Sequence, residues 1–195
     1  YVYIRGNAIF KINNQLIDSK QMKQYFVLPS LCIKDLTIQN IDAKQVMTIE
    51  NLTSFHDLSL NDNFYIYTNG FHNHAIQQFL IKLSDFLGDE VNYLHFGDID
   101  AGGFHRYNDL CKKTHIPFQM YHMDVDTLKK YDTYTKKLTK NDRKRLKSMK
   151  NNEVITYMLK NNVKLEQEIV GDSFNERWNT NTFRKFTEDC LSFTS

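Results

Sequence analysis

Tyr93-Leu94-His95-Phe96-Gly97-Asp98-Ile99-Asp100-Ala101-Gly102-Gly103-Phe104 is the segment around which the rest of the chain is organised. An apolar run ends in two aspartates one residue apart, followed at once by paired glycines and a helical pattern. Side chains two apart share one face of a strand, so Asp98 and Asp100 project together if extended geometry persists to the end of the run. The glycines behind them allow backbone or a ligand to approach closely. Two carboxylates on a rigid strand end, beside a helix start, suit a hard divalent cation such as magnesium, which takes oxygen ligands and few of them from protein. The alternative is a strand-to-helix turn whose aspartates only cap the helix.

Working outward, Val46-Met47-Thr48-Ile49 reads as a buried strand ending at Glu50-Asn51, and Phe64-Tyr65-Ile66-Tyr67-Thr68 as a second ending at Asn69-Gly70. The opening stretch is the third. Phe118-Gln119-Met120-Tyr121-His122-Met123 is the fourth, ending at Asp124-Val125-Asp126. Between them, Ala75, Phe79, Leu83, Phe86 and Leu87 recur at helical spacing, and Phe104, Tyr107, Leu110 and Cys111 share a second helical face that ends before Pro117. Strands alternating with helices imply βαβ units, hence an α/β, Rossmann-like fold with a mainly parallel four-stranded sheet flanked by helices. Glu50, Asp98 and Asp124 then each fall at the carboxyl end of a strand, the edge where open α/β sheets place ligands.

If Glu50, Asp98 and Asp100 converge, they cannot all stay ionised in a partly desolvated pocket without a counter-charge. A divalent cation resolves the repulsion and can bridge a phosphodiester and activate water. Glu50 can serve as ligand or as general base. Asp124 can complete the cluster, with Asp126 capping a helix that begins near Thr127. His95 should point away from Asp98 and reads as a core or surface histidine. His72 and His74 read as a polar loop. His105 and Arg106 follow the glycine pair and can face a phosphate. Glu166 and Glu168, two apart, do not share a helix face, so at most one should reach the cluster.

The remaining chain is less specific. Tyr3, Ile4, Ala8, Phe10 and Ile12 suggest strand structure before the turn-like Asn13-Asn14, and Pro29-Ser30 opens a short helix through Leu31, Ile33, Leu36 and Ile38. Residues 1–43 read as a flank, the end of or linker from an upstream domain, and residues 44–195 as the catalytic domain with a C-terminal helical extension. Lys129, Lys130, Lys136, Lys137, Lys140, Arg143, Lys144, Arg145, Lys147 and Lys150 concentrate positive charge that can meet phosphates or form a solvated face. Val154, Ile155, Met158 and Leu159 suggest a helix, and Trp178, Phe183, Phe186 and Leu191 a C-terminal segment packed on the domain.

With 41% hydrophobic and 25% charged residues, the 195-residue composition is that of a soluble globular protein, and a net charge of +2 does not by itself argue for nucleic acid. Cys32, Cys111 and Cys190 are odd in number and far apart, against a disulfide framework or a cysteine zinc site and for a reducing cytoplasm. No apolar run approaches the ~18 residues of a membrane helix.

Thr48-Ile49-Glu50-Asn51 with Phe55, then Gly97-Asp98-Ile99-Asp100-Ala101-Gly102-Gly103-Phe104, then Met123-Asp124 with Thr127-Leu128, and finally Leu165-Glu166-Gln167-Glu168 resemble, in that order, the Toprim domain of the JetD family. Members are nuclease subunits of the Wadjet anti-plasmid defence system, related to topoisomerase VI A subunits. The resemblance spans about residues 46–170. It implies a Toprim fold that binds Mg2+ or a similar ion such as Mn2+ and cleaves double-stranded DNA together with an SMC-like ATPase complex. It implies Glu50, Asp98 and Asp100 as the catalytic metal site, with Asp124 and Glu168 as further ligands. His105, Arg106, Lys136, Lys137, Arg143, Lys144 and Arg145 are the DNA-binding candidates, and a homodimer is a further expectation. The alternatives are a transesterase that uses an upstream tyrosine, or a non-catalytic scaffold that binds DNA or the ATPase.

Overall fold

Residues 2–42 double back twice before the parallel sheet begins. Strands β1 (Val2–Arg5) and β2 (Asn7–Ile12) lead into β3 (Gln15–Asp18), and the Asn13-Asn14 turn has φ of 49° and 64° at its two residues. Asparagine tolerates this left-handed conformation, which suits the twist of a tight hairpin. The computed structural model describes residues 1–170 apart from 23, 61, 71, 150 and 151. The segment expected to pack through Trp178, Phe183, Phe186 and Leu191 lies outside the described residues.

The helix expected from Pro29 is only a 3-10 turn, Ser30–Cys32, and Ile38 belongs instead to β5 (Thr37–Asp42). Pairing explains the difference: β5 lies antiparallel to β2, with Ile38 opposite Phe10 and Ile41 opposite Ala8, so sheet contacts override the local helical spacing. β4 (Phe26–Leu28) pairs with β1.

From residue 45 the βαβ pattern is realised. β6 (Gln45–Ile49), α1 (Leu52–Asp57), β7 (Asn63–Tyr67), α2 (His74–Leu87), β8 (Asn92–Phe96), α3 (Ala101–Thr114) and β9 (Gln119–Met120) follow in order. β6 pairs in parallel with both β7 and β8, and β8 with β9, which gives the expected four-stranded parallel block. The full sheet is six-stranded, β4-β1-β7-β6-β8-β9, because β1 adds antiparallel to β7. Residues 1–43, read from sequence as a flank, thus supply two strands of this sheet, and Val2, Ile4, Phe10, Leu28, Ile33 and Leu36 enter its main core. The fourth parallel strand is shorter than residues 118–123. His122 adopts φ 52°, which ends extended pairing, and Tyr121 turns edge-on to Phe96.

Alternation sorts the side chains into two layers. Val46, Phe64, Ile66 and Tyr93 face Phe79, Leu80 and Leu83 of α2, whereas Met47, Ile49, Tyr65, Leu94 and Phe96 face Phe55 and Leu58 around α1. A third cluster joins Phe104 of α3 to α4 (Val125–Lys130), α5 (Lys140–Ser148) and α6 (Glu153–Asn161) through Leu128, Leu146, Ile155 and Met158. Short strands β10 (Lys136–Lys137) and β11 (Val163–Lys164) pair beside them.

Asp142 secures this basic region. Its Oδ2 accepts from Thr139 N at 2.9 Å, Thr139 Oγ1 at 2.8 Å and Lys164 Nζ at 3.0 Å, tying the N-terminus of α5 to β11. Burial works against the Asp142 charge, but these hydrogen bonds outweigh it and hold the carboxyl below its usual range. A depressed folded-state value gives stability that is complete above the ordinary carboxylate range and lost as pH falls through the folded-state value. Asp142→Asn is therefore expected to cost about 1–2 kcal/mol at neutral pH. Urea denaturation across an acidic pH series should show the gap between the two proteins closing as acid titrates Asp142.

Candidate functional site

The site grows from one consequence of register. Thr48 pairs with His95 across β6 and β8, so Thr48 and Glu50 project from the same sheet face as His95 and Gly97. His95 is buried, its Nδ1 is 2.9 Å from Thr48 Oγ1, and its Nε2 is 3.2 Å from Glu50 Oε1. A proton on Nε2 makes the imidazole a donor to the carboxylate. Gly97 makes room for it: a Cβ there would stand 2.8 Å from Glu50 Cδ and 3.0 Å from His95 Nε2. His95 does avoid Asp98, as alternation requires, but it is the support of Glu50 rather than an idle core residue.

β8 ends at Phe96, before the aspartates, so regular strand geometry does not carry through them. A separate antiparallel bridge, Ile99 to Leu165, keeps the chain extended there. Ile99 turns into the third core cluster while Asp98 and Asp100 line a cavity of about 360 Å³. The same cavity is lined by Glu50, Asn51, Gly70, Glu166, Gln167 and Glu168. Asp100 also has the capping role weighed from sequence: its Oδ1 accepts from Gly103 N at 2.7 Å at the start of α3.

Arg106 is the counter-charge. One nitrogen, Nη2, lies 2.5 Å from Glu50 Oε2 and 3.1 Å from Asp98 Oδ2. Of the two residues expected to face a phosphate, His105 is exposed on α3 while Arg106 turns inward between the acids. Burial opposes the charge of Glu50, but hydrogen bonds from His95 and Arg106 hold its carboxyl below the usual range. Asp98 moves the other way. Burial pushes its carboxyl up, against a hydrogen bond from Gln167, and repulsion from Asp100 and Glu50 adds to the rise.

The segment after β11 closes the cavity. Gln167 is buried between the two glutamates, its N–H donates to Asp98 Oδ1 at 2.9 Å, and its Oε1 accepts from Asn51 N at 3.0 Å. Glu168 Oε1 accepts from Asn51 Nδ2 at 2.9 Å, and Glu166 Oε1 pairs with Lys136 at 2.5 Å. Both glutamates line the cavity, where the helix-face argument expected at most one. Glu166 is extended and only residues 167–169 form a 3-10 turn, so helix spacing does not apply across the pair.

Asp124 is not brought to this cluster. Its Oδ1 accepts from Thr127 N at 2.7 Å, which makes it the cap of α4, and it lines a separate cavity with His122, Asp126 and Lys130. Asp126 is accordingly a first-turn residue and not the cap, because the helix begins at Val125. Lys137 and Lys144 are exposed, Arg143 and Arg145 half-buried, and Arg143 Nη1 lies 3.4 Å from the Leu159 carbonyl oxygen. His72 lies in the polar loop before α2 but is buried there, with Nδ1 at 3.1 Å from Gln77 Nε2 and Nε2 at 3.5 Å from Asp109, whereas His74 is the first residue of α2. Among the described residues, no helix is long and apolar enough to cross a membrane.

His95 could have been found by counting alternation from Glu50 as well as from Asp98. Arg106 stands four residues after Gly102, a helical neighbour on the same face. Gln167 carries no local signal, since its partners Asn51 and Asp98 are remote in sequence.

The family described as "Wadjet protein JetD, C-terminal" matches residues 8–178, taking in the N-terminal hairpin as well as the acidic stretches. The Wadjet protein JetD of Bacillus cereus (strain Q1) is 31% identical over 179 residues, covering 87% of this chain and 44% of that protein. The chain therefore spans less than half the length of this curated relative. On a match that covers most of its length, the chain belongs to the Wadjet JetD C-terminal family.

Proposed function

We propose that this chain carries the ion-dependent catalytic site of a Toprim-type DNA endonuclease that cuts plasmid or other foreign double-stranded DNA. The observation that supports this reading is the gathering of Glu50, Asp98 and Asp100 around one cavity at the carboxyl edge of a parallel sheet. The donor chemistry fits a hard divalent cation. Five carboxylates line the cavity, those of Glu50, Asp98, Asp100, Glu166 and Glu168, and the buried Glu50 Oε2 faces the cationic Arg106.

Glu50, Asp98 and Asp100 would hold Mg2+ or Mn2+, with Glu168 at the rim. Such an ion supplies Lewis acidity toward a phosphodiester and lowers the pKa of a water. The chain does the rest. His95 orients Glu50, the Gln167 N–H orients Asp98, and Gly102 and Gly103 let the start of α3 come close to the cavity, where backbone N–H groups favour an anion. Lys137 and Lys144 offer exposed charge to the DNA backbone. In this reading the protein works in the cytoplasm with an SMC-like ATPase complex and can act as a homodimer.

One observation favours the scaffold alternative. Among the described residues no three acidic, histidine or cysteine side chains are grouped to hold an ion as they stand, and Arg106 neutralises two of the three acids. Incubating the full-length protein and its ATPase partners with plasmid separates the readings. Cleavage that requires Mg2+ or Mn2+, stops with chelator and leaves protein-free ends is expected. Protein-linked ends would instead indicate transesterification, and intact plasmid under all ions a scaffold.

A further inference from the structure

We propose that Arg106 is an internal stand-in for the divalent cation, holding Glu50 and Asp98 together in the ion-free protein and having to leave before an ion can bind between them. The inference rests on the ion-binding reading of Glu50 and Asp98 and adds the side chain that controls access to them.

Four features carry it. First, a single nitrogen of Arg106 contacts both carboxylates, at 2.5 Å and 3.1 Å, which is where a bridging cation would act. Second, the pairing is not the two-pronged fork that makes arginine–carboxylate pairs strong. Nη2 serves both acids, and the buried Nε has no hydrogen-bond partner among the described residues. Third, the guanidinium reaches the acids across Gly102, where a Cβ would stand 2.8 Å from Nη1; any side chain at 102 would obstruct that path. Fourth, the guanidinium is always charged, so it cannot be discharged to make way and must move as a whole. The side chains of Glu50, Arg106 and Asp98 are 4%, 16% and 32% exposed, so the arginine bridges a buried acid and a more open one.

The consequence is an exchange of one cation for another. When a divalent ion takes the carboxylates, Arg106 is freed beside an acidic cavity, five residues after Ala101 at the start of α3, and its planar fork is suited to a phosphate oxygen pair. The site would thereby gain a phosphate ligand only after it has gained its ion.

Mn2+ binding by calorimetry, with the full-length protein, tests this without any activity measurement. Arg106→Gln removes the competitor and leaves a buried acid and a half-buried one in need of a cation, so it should bind Mn2+ at least about tenfold more tightly than the wild type. It should also melt lower without ion and gain more from added Mn2+. Adding Glu50→Gln to Arg106→Gln should remove the gained affinity. Because the arginine variant risks misfolding, Gly102→Ala serves as a second route: its methyl, 2.8 Å from Nη1, crowds Arg106 out of place with the charge retained, while Asp100 Oδ1 at 3.1 Å has to give by only a few tenths of an ångström; it too should tighten Mn2+ binding. Wild type and both variants binding Mn2+ with equal affinity would overturn the stand-in role while leaving the ion site in place. Absence of Mn2+ binding in all three folded proteins would overturn both the stand-in role and the ion site. Binding by the variants alone, with none by the wild type, would support the exchange in its strongest form.

Discussion

Gly103→Ala is expected to lower the unfolding free energy by at least about 3 kcal/mol, the upper end of typical overpacking costs. A Cβ at this position would overlap the Asp98 carbonyl oxygen and crowd the Asp98 backbone nitrogen, at 3.2 Å. The obstacle is backbone, held by the Ile99–Leu165 bridge and followed at once by the Asp100 cap, so no rotamer change relieves it. Relief requires α3 to slide away from the strand end, which would uncover Ala101 and Phe104, both buried in the third core cluster. Gly102→Ala is the control, one residue away on the same helix. Its Cβ meets side-chain ends only, Arg106 Nη1 at 2.8 Å and Asp100 Oδ1 at 3.1 Å, and should cost well under half as much. Guanidinium denaturation of the two variants measures the difference. Equal, small losses would show that α3 does not approach Asp98 as described.

The second large effect is chemical. Glu50→Gln and Asp98→Asn should each reduce ion-dependent plasmid cleavage by about a hundredfold or more, the scale on which a single electrostatic contribution to a transition state is felt. Both substitutions keep shape and most hydrogen bonds. In Glu50→Gln, His95 can still donate to the amide oxygen and Arg106 remains paired with Asp98; in Asp98→Asn, the Gln167 N–H retains its acceptor. The expected result is therefore a folded protein with lost activity. Circular dichroism and denaturation alongside single-turnover cleavage separate this from a folding defect. Full cleavage by both variants would remove these acids from the mechanism.

The parallel block and the acids at its carboxyl edge were legible because hydrophobic periodicity marks each strand and the acids follow the apolar runs directly. Glu50 and Asp98 could be paired on that basis alone. What periodicity missed depends on contacts between remote segments. β5 is a strand because β2 lies beside it, and the flank of residues 1–43 joins the core because β1 adds to β7. Asp124 shows the opposite failure. It stands at a strand end as the pattern requires, yet β9 is cut short at Met120, and the chain turns Asp124 into the cap of α4 beside a different cavity.

At the site itself, sequence reasoning identified the need for a counter-charge but assigned it to an ion, because an arginine eight residues after Asp98 has no reason, in one dimension, to fold back onto Asp98. Helix α3 supplies that reason. Its first turn is pinned by Asp100, its Gly103 lets that turn lie against the Asp98 backbone, and the next turn delivers Arg106 to Glu50 and Asp98. Gln167 returns from the other end of the domain to hold Asp98 and Asn51 at once.

The most direct test is where a divalent ion binds. Crystals of the full-length protein soaked in Mn2+ and measured at the manganese edge would locate it by anomalous scattering. The predicted result is a peak about 2.1 Å from carboxylate oxygens of Glu50 and Asp98 or Asp100, with Arg106 displaced from between them. No peak at these residues in crystals that take up Mn2+ elsewhere, with Arg106 still bridging Glu50 and Asp98, would contradict it.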